Sequence, residues 1–178
     1  MTGPAAHYGD ALFELAGAEG CDERLLEELD AAAGLLRENP EYLRVLDAPT
    51  LRREERCALV DEAFGGRVHP YLLNTLKLMT ERGLARGFFD AAAQYRRRYN
   101  GAHDILEARA VTAVPLSEAL QKRLTEALAQ ATGKQIRLSC AVDSALLGGV
   151  RLELEGRELD GTVRRRLDAL RRSLLRAN

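Results

Sequence analysis

Through the first hundred positions apolar residues recur at intervals of three and four, the spacing that gathers side chains on one face of a helix. Leu25, Leu26, Leu29, Ala33 and Leu36 form one such stripe. It ends before Pro40, because the residue ahead of a proline is pushed out of helical geometry. Pro40 can itself open a short helix carrying Tyr42, Leu43 and Leu46. Thr50 reads as the N-cap of a helix from Leu51 to Phe64, stopped by Gly65 and Gly66. Pro70 starts a helix to about Arg82 before Gly83, and a last one runs from about Leu84 to Tyr99. With the opening segment these make six helices on short loops, which is the pattern of a bundle with antiparallel neighbours.

Past Gly101 the period drops to two. Leu106, Ala108 and Ala110 alternate with Glu107 and Arg109; Ile136, Leu138, Cys140 and Val142 alternate with Arg137 and Ser139; Val150, Leu152 and Leu154 alternate with Arg151 and Glu153. Three half-buried strands are predicted. A helix between the first two starts at Ser117 as N-cap, carries Leu120, Leu124, Leu128 and Ala131 on one stripe, and ends at Gly133. The pair Gly148-Gly149 marks a sharp bend before the third strand. Asp160 is read as the cap of a final helix striped with Val163, Leu167, Leu170 and Leu174. The expected architecture is therefore α+β in two domains: a six-helix bundle over 1–101, then a small α/β domain over 102–178 ordered strand, helix, strand, strand, helix.

Charge sharpens this division. Residues 1–101 hold 13 Lys+Arg and 17 Asp+Glu, a balance of -4, and residues 102–178 hold the other 13 and 10, a balance of +3. The halves suit different partners. No apolar run approaches the about 18 residues of a membrane span, and the start has no secretory pattern, so a cytosolic chain is expected. Cys21, Cys57 and Cys140 are odd in number and far apart, which fits buried hydrophobes better than a disulfide framework or a zinc motif. His7, His69 and His103 have no second ligand at helical spacing, so no metal site and no cofactor are expected. Gly133-Lys134 fails as a phosphate loop, since Leu128 stands where the upstream glycine should be and Gln135 where the hydroxyl should be. Ser144 and Ser173 lack the glycines of a nucleophile elbow. An enzyme is not expected. The basic end, with Arg164, Arg165, Arg166, Arg171, Arg172 and Arg176, raises the alternative of a nucleic-acid-associated adaptor, but that helix has no aromatic platform for bases.

Two helices carry more apolar surface than a bundle requires. On the opening helix His7, Asp10 and Glu14 fill one narrow polar stripe, while Tyr8, Ala11, Leu12 and Leu15 make one apolar face and Ala6, Gly9, Phe13 and Ala16 another. On the helix from Pro70, Leu72, Leu73, Leu76 and Met79 make a core face, and Tyr71 with Leu78 a separate spot. A second apolar face calls for a second thing to bury it, either more bundle or a partner's amphipathic helix.

Tyr8-Gly-Asp-Ala-Leu-Phe-Glu-Leu-Ala16, Asn74-Thr-Leu-Lys-Leu-Met79 with Gly83, Ala113-Val-Pro-Leu-Ser117, Asp143-Ser-Ala-Leu-Leu-Gly-Gly-Val150 and Asp160-Gly-Thr-Val-Arg-Arg-Arg-Leu167 together resemble, in order and spacing, the delta subunits of F-type ATP synthases, whose mitochondrial counterpart is the oligomycin-sensitivity-conferring protein. The loop Gly83-Leu84-Ala85 departs from the family's usual Gly-Arg-Leu, and Thr162 replaces its usual Ser while keeping the hydroxyl. The resemblance implies a non-catalytic stator subunit, one copy per complex, at the cytoplasmic face of a bacterial membrane and attached only through the complex. It implies that the helical domain binds N-terminal helices of alpha subunits, through a groove of Tyr8, Ala11, Leu12, Leu15, Tyr71 and Leu78. It further implies that the second domain binds the C-terminal end of subunit b, with Arg164, Arg165, Arg171 and Arg172 as candidate contacts, and that no nucleic acid is bound.

Overall fold

The computed structural model describes residues 3–146, 148–154 and 157–160, the last four through their backbone. The chain divides into two units, Met1–Ala102 and His103–Asn178.

In the first unit, helix α1 (Ala6–Glu19) ends where Gly20 turns left-handed at φ 66°. The amide of Cys21 then reaches back to the carbonyl of Ala16 at 3.0 Å, closing the orphan carbonyls of the last turn. Helix α2 (Asp22–Glu38) opens with two acidic residues, which complement the positive end of the helix dipole. Asn39 closes it, its side-chain amide donating to Leu35 O at 2.8 Å, and Pro40 begins α3 (Pro40–Leu46). Helix α4 spans Arg53–Phe64, so Thr50 is not its cap. Thr50 lies in a turn, and the Arg52 amide donates instead to the Glu55 carboxylate at 2.8 Å. An acidic side chain three residues into the helix does the work that a hydroxyl before it was expected to do. Helix α5 (Pro70–Glu81) is followed by a 3-10 turn (Ala85–Gly87) and by α6 (Phe88–Ala102).

The core of this unit is built from Leu12, Ala16, Leu25, Leu29, Leu36, Leu46, Val60, Leu72, Leu76, Met79, Phe88 and Tyr95. Helix α1 packs mainly on α6. The approach is so close at Gly9 that an added Cβ would stand 2.2 Å from the carbonyl oxygen of Ala91. Tyr95 fills the space beside this crossing, edge-on to Phe13 with ring centroids 5.6 Å apart, and its hydroxyl donates to Asp22 O at 2.9 Å.

In the second unit, strand β1 (Ile105–Thr112) is followed by α7 (Glu118–Thr132), β2 (Gln135–Val142), β3 (Val150–Leu154) and β4 (Arg157–Asp160), with the strands ordered β2-β1-β3-β4. Strand β1 pairs in parallel with β2, Leu106 opposite Ile136, so a crossover is required and α7 supplies it. Ser117 caps α7, its Oγ accepting from the Leu120 amide at 3.4 Å, and Gly133 ends it at φ 70°. On the other side β1 runs antiparallel to β3, with Arg109 opposite Glu153, and β3 antiparallel to β4, with Leu152 opposite Leu159. Gly148 and Gly149, at φ 133° and 88°, make the bend into β3. Strand β4 is an addition to the expected order, with Asp160 as its last residue; the helix that Asp160 was expected to cap falls on residues outside the described ones. The four residues Arg-Glu-Leu-Asp hold a single apolar side chain, so no alternation could announce a strand. The final helix expected from the sequence, with Arg164, Arg165, Arg166, Arg171, Arg172 and Arg176, falls outside the described residues.

Candidate functional site

Helices α1 and α5 are neighbours, and two contacts fix their direction. The Tyr71 hydroxyl at the start of α5 donates to the Glu19 carboxylate at the end of α1. The Ala5 side chain before α1 meets Gly87 beyond the end of α5. The helices are therefore antiparallel, which sets Leu78 roughly level with Ala11 and Leu12. Along this seam Leu15 is 49% exposed and Leu78 48% exposed, Ala11 is exposed, and Tyr8 and Tyr71 are half-buried. Leu12 is different. At 2% exposure it belongs to the core and backs the seam instead of lining it, because α1 is covered from both the α6 and α5 sides. The core face of α5 holds Leu72, Leu76 and Met79 as expected, whereas Leu73 is only half-buried.

One end of the seam holds a cluster that the spacing in sequence concealed. Glu19, Cys21 and His69 each present a potential ligand atom, and these atoms lie within 4.8 Å of one another. The turn at Gly20 carries Glu19 and Cys21 to the same side. His69 arrives from 48 residues further along, held extended by Pro70 and acting as N-cap of α5, its Nδ1 accepting from the Tyr71 amide at 3.3 Å. Its own amide donates to the Glu28 carboxylate. Cys57 lies elsewhere, its thiol 3.8 Å from Glu81, and burial with the nearby carboxylate holds its pKa above the ordinary value. The three cysteines are free thiols, and Cys140 is exposed rather than buried as the sequence suggested.

Around both features the chain matches, over residues 5–174, the family described as ATP synthase delta (OSCP) subunit. The chain belongs to the ATP synthase delta (OSCP) subunit family. It is similar to the ATP synthase subunit delta of Desulfitobacterium hafniense, 34% identical over 97% of each chain, and to that of Moorella thermoacetica, 35% identical over 97% of each. Among solved structures it resembles a chain in the cryo-EM structure of the Toxoplasma gondii mitochondrial ATP synthase hexamer, with a TM-score of 0.75 over 97% of this chain and 98% of that one. At 20% identity that likeness speaks for the fold alone. Membership makes this delta subunit a non-catalytic stator component of ATP synthase. Among its described residues no helix is long and apolar enough to cross a membrane.

Proposed function

We propose that this delta-family chain joins the catalytic head of a bacterial ATP synthase to the peripheral stalk, so that proton-driven rotation is coupled to ATP synthesis instead of turning the head. In this reading one copy per complex sits at the cytoplasmic face of the membrane, held there by its partners. The helical domain, 1–101, takes N-terminal helices of alpha subunits along the α1–α5 seam, and the domain 102–178 takes the C-terminal end of subunit b. The observation that carries the reading is the pair of half-exposed leucines, Leu15 and Leu78, on adjacent antiparallel helices, an apolar strip of the kind that accepts an amphipathic helix.

Magnitudes argue that this joint is shared. Full burial of a leucine is worth about 1.5–3 kcal/mol, so completing two half-buried ones yields roughly that much in total. A nanomolar complex needs about 12 kcal/mol after association entropy is met. Further contacts along the seam, together with the tethered second domain raising the effective concentration, must supply the rest.

The test uses a synthetic peptide of the alpha subunit's N-terminal helix and the intact chain. Leu78→Ala is expected to cost less than about 1 kcal/mol of stability, whereas Leu76→Ala, at a residue 3% exposed, should cost about 2–5 kcal/mol. Leu78→Asp should weaken the peptide at least about tenfold, because its carboxylate would be desolvated without a partner. Equal destabilisation by the two alanines, with normal peptide binding by Leu78→Asp, would rule the groove out.

A further inference from the structure

We propose that Glu19, Cys21 and His69 form a zinc-binding site that clips the C-terminal end of α1 to the start of α5. The three ligand atoms lie within 4.8 Å of one another. Tetrahedral zinc, with bonds of about 2.0–2.3 Å, holds its ligands about 3.3–3.7 Å apart, so side-chain adjustments that draw the atoms together by at most about 1.5 Å close the site around an ion. Both backbone entries are already set. Glu19 and Cys21 flank a left-handed glycine, and His69 is pinned between Pro70 and the bond from its amide to Glu28.

The donor set selects the metal. A thiolate, an imidazole nitrogen and a carboxylate oxygen suit zinc and discriminate against magnesium and calcium, which prefer oxygen alone. Charge also balances, since one thiolate and one carboxylate neutralise a divalent cation while the imidazole stays neutral. On binding, the Cys21 thiol gives its proton to solvent and its sulfur forms the bond to zinc. The Tyr71 hydroxyl donates to one oxygen of Glu19, an outer hydrogen bond that orients the carboxylate and leaves the second oxygen for the ion. Water completes the tetrahedron.

The experiment takes the full chain, reduced and stripped with a chelator, and titrates it with cobalt(II), whose thiolate charge-transfer absorption reports a sulfur ligand, and then with zinc in competition. One equivalent of cobalt should bind with that absorption, zinc should displace it, and magnesium should not. Cys21→Ser should abolish the absorption and weaken zinc at least 100-fold. His69→Asn, which keeps a cap acceptor on α5, and Glu19→Gln, which still accepts from Tyr71, should each weaken zinc at least tenfold, while Cys57→Ser changes nothing. Helix content by circular dichroism confirms that each variant folds, and His69→Asn carries the test if Cys21→Ser does not. No thiolate absorption, or zinc affinity unchanged in folded Cys21→Ser or His69→Asn, overturns the site.

Discussion

Tyr95 is buried against the α1–α6 crossing, and its hydroxyl pKa stands well above the ordinary 10.0, chiefly through burial and then through the negative charge of Asp22. A tyrosine whose folded pKa is raised contributes fully below pH 10.0, and loses that contribution as pH climbs towards the folded value, because the unfolded chain gives up its proton first. Stability is therefore expected to fall above pH 10.0, with a slope of up to about 1.4 kcal/mol per pH unit from this one group. Tyr95→Phe should cost about 1 kcal/mol at neutral pH yet flatten the alkaline slope, which urea midpoints between pH 8 and 11 would measure; an unchanged slope would refute the assignment. At this scale the sequence was only partly legible. Its helical wheel grouped Leu12 with Leu15, since a spacing of three places them on the same face, but it could not say that α6 and α5 together reach far enough round α1 to bury the first and not the second. The Leu78 spot was legible because it stands apart from Leu72, Leu76 and Met79 on its own helix. Glu19, Cys21 and His69 were not, since ligands 48 residues apart share no spacing rule and meet only once two helices are antiparallel.

Between elements, the sharpest constraint is the α1–α6 crossing. With the Ala91 carbonyl only 2.2 Å from where a Cβ of residue 9 would stand, Gly9→Ala cannot be absorbed by a flexible side chain, and two backbones must separate. The alanine gains about 1 kcal/mol in helix propensity. The separation unpacks Phe13 and Tyr95, so a net loss of about 1–3 kcal/mol is expected, readable as a lowered denaturant midpoint; a neutral or stabilised Gly9→Ala would mean that the helices do not meet so closely. Strong periodicity made these helices visible in sequence, and proline and glycine marked most of their ends. What failed were features with little pattern to offer: the start of α4, fixed by Glu55 instead of Thr50, and β4, whose identity as a strand comes from pairing with β3 rather than from its own residues. The βαβ unit was legible because strict alternation in β1 and β2 flanks a capped helix.

At the scale of the whole chain, the change of period at Gly101 predicted a change of architecture, and helices do give way to a sheet near Ala102. The apolar core of Met1–Ala102 is built from its own helices. A fragment 1–102 is accordingly expected to stay soluble and helical, with a cooperative urea transition of its own; little helix by circular dichroism would sink this expectation. The second unit depends on a different ordering of events. Strand β1 is central, paired on one flank with β2 some 30 residues later and on the other with β3, about 45 residues later. On the ribosome, then, the helical unit can close once α6 has emerged to meet α1 and α2, while the tunnel still holds the sheet. Strand β1 must wait, one edge unpaired until Val142 has been made and the other until translation has passed Leu154, and this is the interval in which the nascent chain is open to pairing with a stranger.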